Sequence, residues 1–226
     1  IWVTSWKDLF AFRITKEGHL EQVDTSSFLT PGNKILYEIY KDKDGKLWVS
    51  AFDVESFIID IRDYIVQKYP LPDLRNQLKA NPAINSLCKD EDGIFWFSQD
   101  RYGLCIYDSR KEKLKHYSQC QGTRNLPFGD VTNIARSYNH NWIWATSYGP
   151  TVFGLSQQNM EMKEDVRIEL GNVTNNPGLI TSLFEDPQNN LWIGTTTGLF
   201  VYRIMSATLE SIPEVSGPVA GITQTA

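Results

Sequence analysis

Asp8, Asp53 and Asp100 stand at corresponding places after strand-like runs of this chain. Paired carboxylates are the usual machinery of glycoside hydrolysis, one acting as acid and the other as base or nucleophile. Repeat-equivalent positions explain the spacing of these three more simply, and no catalytic residue is assigned. The runs Asp-Lys-Asp-Gly (42–45) and Asp-Glu-Asp-Gly (90–93) suggest a calcium loop, but the Gly comes two positions early and the terminal Glu is missing. They read as hairpin turns. Cys88, Cys105 and Cys120 are odd in number and lack Cys-x-x-Cys spacing, which argues for buried thiols rather than a disulfide framework or a zinc site. His19, His116 and His140 lie far apart, with no Ser or Cys in an evident nucleophile setting. No metal, cofactor or catalytic group is expected.

Binding chemistry is better represented. Trp6, Asp100, Arg101, Tyr102 and Tyr148 fall in short polar stretches, Ser-Trp-Lys-Asp (5–8), Asp-Arg-Tyr-Gly (100–103) and Tyr-Gly-Pro (148–150). They combine flat apolar faces with hydrogen-bonding groups, as recognition of sugar rings requires. Asn-Val-Thr at 172–174 matches a glycosylation sequon by pattern only.

The elements that must position these residues follow from a repeat. Trp2, Trp48, Trp96, Trp144 and Trp192 are separated by 46, 48, 48 and 48 positions, each inside a short apolar run that follows a polar turn. Within a unit the pattern is period two or continuously apolar over four to eight residues, rich in β-branched and aromatic types, which predicts strands. The third unit predicts strands over 84–90, 94–99, 103–108 and 114–118, with a tight turn at 91–93. Asp-Gly or Asn-Asn after the first strand supplies the positive φ of a two-residue hairpin turn. Four antiparallel strands repeating with a period in the forties predict an all-β fold, a β-propeller.

The whole chain reads as one propeller domain. Blade units cover about 1–30, 31–79, 80–126, 127–175 and 176–214, and the first strand of a next blade covers 219–225. That makes four complete blades and one split between the termini, five-bladed if the ring closes and otherwise an arc of a larger, for example seven-bladed, ring. The regular Trp residues are expected in the core, while Trp6 and Trp142 fall off the register and are candidates for surface work. Thr4, Ser50, Ser98, Thr146 and Gly194, two positions after each Trp, are small enough to let blades close up.

Composition excludes several function classes. The chain of 226 residues has a net charge of −5 and a pI near 5.3, leaving no basic stripe for nucleic acid or an anionic membrane. No apolar run reaches bilayer-spanning length. The chain opens on Ile-Trp-Val-Thr-Ser-Trp without Met, which suggests a segment of something longer.

The motif of Asp186, Leu191, Trp192, Ile193, Gly194, Thr195, Gly198, Leu199 and Tyr202 recurs as Asp90, Gly93, Trp96, Gly103, Leu104 and Tyr107, and as Asp42, Gly45, Leu47 and Trp48. It is similar to the two-component regulator propeller repeat. The units around Trp144 and after Trp48 depart from it, the first lacking the Asp and Gly of the turn and the second the Gly-Leu. The resemblance implies an extracytoplasmic, periplasmic sensor region of a hybrid two-component system, with membrane helix, histidine kinase and phosphorelay parts elsewhere in the parent. It further implies a non-catalytic role, an oligosaccharide ligand derived from a glycan, and a homodimer in the parent receptor. Trp6, Asp100, Arg101, Tyr102 and Tyr148 are then the candidate ligand-binding residues, on loops joining the second and third strands of a blade. The alternatives are a propeller lyase or glycoside hydrolase acting on polysaccharide, and a non-catalytic protein-interaction scaffold.

Overall fold

The computed structural model describes residues 2–4, 9–25, 35–41, 46–52, 57–60, 65–68, 84–90, 92–99, 103–108, 110–117, 131–220 and 222. Among the described residues it contains nineteen strands and no α-helix. The chain divides into two compact units, Ile1–Leu87 and Cys88–Ala226.

The first unit holds a three-stranded sheet, β1 (Trp2–Thr4), β2 (Leu9–Ile14) and β3 (Leu20–Val23), and a four-stranded sheet, β4 (Ile35–Lys41), β5 (Lys46–Phe52), β6 (Phe57–Asp60) and β7 (Ile65–Lys68). The unit boundary falls within β8 (Ile84–Lys89), which forms one sheet with β9 (Phe95–Gln99), β10 (Gly103–Asp108) and β11 (Lys113–Tyr117), in the order β11-β10-β9-β8. Two more four-stranded sheets complete the second unit. One is β12 (Asn133–Arg136), β13 (Ile143–Thr146), β14 (Thr151–Gln158) and β15 (Glu161–Glu169). The other is β16 (Ile180–Glu185), β17 (Asn190–Thr195), β18 (Gly198–Arg203) and β19 (Thr208–Ser216). Each sheet is an antiparallel meander in chain order, the blade of a β-propeller.

Burial on both faces explains the composition of the strands. All six residues of β10 are buried, so it reads as apolar throughout rather than alternating. Trp48, Trp96 and Trp144 are buried and Trp192 is half-buried. Around Trp144 the core runs from one blade into the next, joining Val152, Ile168 and Leu170 to Ile180, Leu191, Ile193 and Phe200. Gly194 shows why the position two after the Trp is small: a Cβ there would lie 2.3 Å from Ser182 Oγ and 2.8 Å from Val219 Cγ1.

Three expectations change. In the Trp96 and Trp192 units the turn between the first two strands is closed as a three-residue loop, not a two-residue one. Gly93 N–H donates to Asp90 O (3.2 Å) and Asp90 N–H to Ile94 O (2.9 Å), and Asn189 and Asn190 repeat this on Asp186. Gly93 (φ 79°) and Asn189 (φ 63°) occupy the left-handed region, where one such residue after a type I turn restores the strand twist. Trp142 is not a surface platform. It is half-buried against the core, stacked on His140 at 4.3 Å and edge-on to Trp144 at 5.5 Å. Val219 and Ala220 form no strand. Val219 instead donates its N–H to Thr195 O (2.9 Å), and Thr181 Oγ1 donates to Val219 O.

Candidate functional site

The repeat motif builds a carboxylate anchor at the base of the Trp96 and Trp192 strands. Asp90 Oδ1 accepts the N–H of Ile94 (2.9 Å) and Oδ2 accepts Trp96 Nε1 (2.8 Å). Asp186 does the same for Asn190 (2.9 Å) and Trp192 Nε1 (2.9 Å), and also holds the Asn190 side chain and the Gln188 N–H. Equivalent in position, they differ in the direction of their pKa shift. Burial, aided by the nearby charge of Asp92, outweighs the hydrogen bonds of Asp90 and raises its pKa. Burial also opposes ionisation of Asp186, but the donors from Asn190, Trp192 and Gln188 win and hold its pKa down.

The blade around Trp144 has a turn one residue longer, closed by Ser137 N–H on Trp142 O (3.1 Å). Its missing carboxylate comes from the next blade. Glu185 Oε2 accepts Trp144 Nε1 (2.6 Å) and Ser137 Oγ (2.7 Å), and Oε1 accepts the Asn139 N–H (3.2 Å). These bonds satisfy groups that would otherwise be buried without partners.

A cavity of about 510 Å³ opens where the turns of two successive blades meet, lined by Asp92, Ile94, Asp108, Arg110, Lys111 and the run 157–160. The β8–β9, β10–β11 and β14–β15 turns that build it lie at one end of their sheets; Tyr148, in the β13–β14 turn, lies at the other. Each wall is pinned. Asp108, buried, accepts the N–H groups of Arg110 (3.0 Å) and Lys111 (3.3 Å) and faces both cationic heads, at 3.5 and 3.4 Å. Burial alone would raise its pKa; those donors and the neighbouring positive charge lower it. Arg110 Nη2 reaches across to Asp92 O (2.8 Å). Gln157 Nε2 donates to Asp92 Oδ2 (3.1 Å), while its Oε1 accepts the Met160 N–H (3.0 Å). Tyr117 ties the two blades by donating to Met160 O (2.6 Å) and accepting the Met162 N–H (3.1 Å).

Of the expected ligand-binding residues, Trp6, Asp100, Arg101 and Tyr102 lie outside the described residues, as do Asp8, Asp53 and Cys120. Tyr148 is 62% exposed. Cys88 and Cys105 are buried thiols outside any disulfide, and burial pushes the Cys105 pKa far up. Among the described residues no group of three or more His, Cys, Asp or Glu side chains is placed to hold a metal ion. The cavity residues were not anticipated. Their only sequence signal is the polarity of Asp-Ser-Arg-Lys-Glu-Lys (108–113) and Ser-Gln-Gln-Asn (156–159), which any exposed turn carries.

Residues 176–197 match the family model for the two component regulator propeller, the repeat to which the Trp192 unit was likened. Solved structures share the fold. The extracellular domain assigned to the hybrid two component system BT3049 of B. thetaiotaomicron aligns with 95% of this chain and 31% of its own length, at 20% identity and a TM-score of 0.65. PorZ, an essential bacterial surface component of the type-IX secretion system of Porphyromonas gingivalis, aligns over 93% and 32%, at 17% and 0.60. The beta-propeller domain of Cps50 (Swd1) from Myceliophteria thermophila aligns over 78% and 58%, at 11% and 0.59. The chain thus spans about a third of the first two. Among curated protein sequences, none is significantly similar to this chain. The chain is a β-propeller segment of antiparallel blades, and its Trp192 blade carries the two component regulator propeller repeat. Among the described residues no helix is long and apolar enough to cross a membrane.

Proposed function

We propose that this chain is part of the ligand-sensing propeller of a hybrid two-component receptor, exposed to the periplasm. There it recognises a glycan-derived oligosaccharide and signals to a histidine kinase elsewhere in the parent. The match of residues 176–197 to the two component regulator propeller carries this reading, and the fold shared with an extracellular domain of such a system supports its extracytoplasmic setting. The segment itself is non-catalytic. Among the described residues its one pKa-raised carboxylate, Asp90, is committed to the Trp96 indole and the Ile94 N–H, and the described residues of the cavity lining include no Ser, Thr, Cys or His. In the parent, a homodimer is the two-state element, and ligand acts by its differential affinity for the two arrangements.

Titration calorimetry against a panel of oligosaccharides, with chromatography of the same mixtures, tests this. Binding without cleavage is the expected result. Cleavage would turn the assignment to a polysaccharide lyase or glycoside hydrolase, and absence of binding across the panel would turn it to a protein-interaction scaffold.

A further inference from the structure

We propose that the cavity between the β8–β11 and β12–β15 blades is a subsite for the carboxylate-bearing sugar of an acidic oligosaccharide. This rests on the saccharide-sensing reading and deepens it by naming ligand class and place.

Several acceptors of the walls are engaged: Asp108 by two backbone N–H groups and two cations, Asp92 Oδ2 by Gln157, and Gln157 Oε1 by Met160. Donors remain. Of five guanidinium N–H groups on Arg110, one is placed on Asp92 O and one faces Asp108. Lys111, its side chain 70% exposed, makes one ion pair at 3.4 Å. The amides of Gln158 and Asn159 are exposed and, among the described residues, make no side-chain hydrogen bond. A site with spare donors and two cations at its rim suits an acceptor-rich anion, and a planar carboxylate matches the guanidinium fork. Ile94 and Met160, both buried, form the apolar part of the lining. The volume lies within the range of about 300–1,000 Å³ common to small-molecule sites.

The site is preorganised. Asn159 (φ 54°) and Met160 (φ 67°) are consecutive left-handed residues, a conformation unfavourable for Met and held here by Tyr117 and Gln157. That turn fixes where the Gln158 and Asn159 amides stand relative to Arg110 before any ligand arrives, which lowers the ordering cost of binding.

The test is calorimetry of the full chain with di- to tetrasaccharides of galacturonic, glucuronic and mannuronic acid, and with neutral cello- and malto-oligosaccharides of equal length. Binding of an acidic series that weakens with added salt is expected. Lys111→Gln should reduce affinity about tenfold or more, the size of a lost hydrogen bond to a charged group. Asn159→Gly keeps the left-handed backbone and removes only the amide, so loss of affinity there reports on contact rather than folding. Acidic binding that survives both variants but is lost in Tyr148→Ala, or a preference for the neutral series, overturns the subsite while leaving saccharide sensing standing. No binding by either series overturns both.

Discussion

Trp144 donates its indole N–H to Glu185 of the following blade at 2.6 Å, whereas Trp96 and Trp192 use an aspartate six residues upstream in their own blade. A carboxylate of one blade thus anchors the Trp of the blade before it. Replacing Glu185 by Ala leaves Trp144 Nε1 and Ser137 Oγ buried without their acceptor, at about 1–3 kcal/mol for each. Urea unfolding should show a loss of roughly 2–4 kcal/mol. Adding Ser137→Asp, which supplies a carboxylate from within the blade, should restore part of it; no recovery would mean that the geometry of Glu185, rather than its charge, is what the indole requires.

Asp90 and Asp186 should give opposite pH signatures. The folded pKa of Asp186 is depressed below 3.8, so its stabilisation is fully present above the unfolded value and fades as pH falls through the folded one. The stability gap between the wild type and Asp186→Asn should therefore close on acidification. Asp90 has a raised folded pKa, so the folded state takes up its proton first and stability tied to it rises as pH falls from the raised value towards 3.8. Chemical denaturation of Asp90→Asn and Asp186→Asn from pH 7 to pH 3 checks both slopes, and parallel curves would refute the assignment.

Gly154 faces Trp144 across the β13–β14 pair, where Ile58, Ile106 and Val201 face the Trp of the other four-stranded sheets. Gly154→Val would make the repeats more alike, yet a Cβ there would sit 3.0 Å from Val166 Cβ and 3.2 Å from Trp144 Cζ3. Overpacking of this kind costs about 1–3 kcal/mol, so the thermal midpoint should fall. A rise would show that β14 can move away from the indole.

Cys88 and Cys105 are 2% and 0% exposed, and Cys105 holds its proton well beyond the ordinary thiol range. Thiolate is the reactive form. Alkylation mapped by mass spectrometry should leave both unmodified in buffer and modify both in urea. Native labelling of Cys105 would contradict the closed packing of β10.

The period of the Trp residues carried most of the fold, because an indole in the middle of a short apolar run between polar turns constrains the strand, its facing and the unit length together. Strands β8 to β11 fall within a residue or so of the expected positions. Turn length was not legible: Asp-x-x-Gly is compatible with two- and three-residue loops, and only the hydrogen bonds at Ile94 and Asn190 decide. The Glu185 anchor was hidden for a different reason. Nothing local to Ser137 or Trp144 points to a residue more than forty positions on. The cavity was hidden likewise, since Arg110 and Asn159 become neighbours only when blades stack.

Glu185 lies seven positions before Trp192, and the residue seven before Trp96 is Lys89. A transplanted copy of the β12–β15 unit, set ahead of the β8–β11 unit, would therefore aim its indole at a lysine. The units share an outline but not an edge, and such a graft would leave the indole without its acceptor.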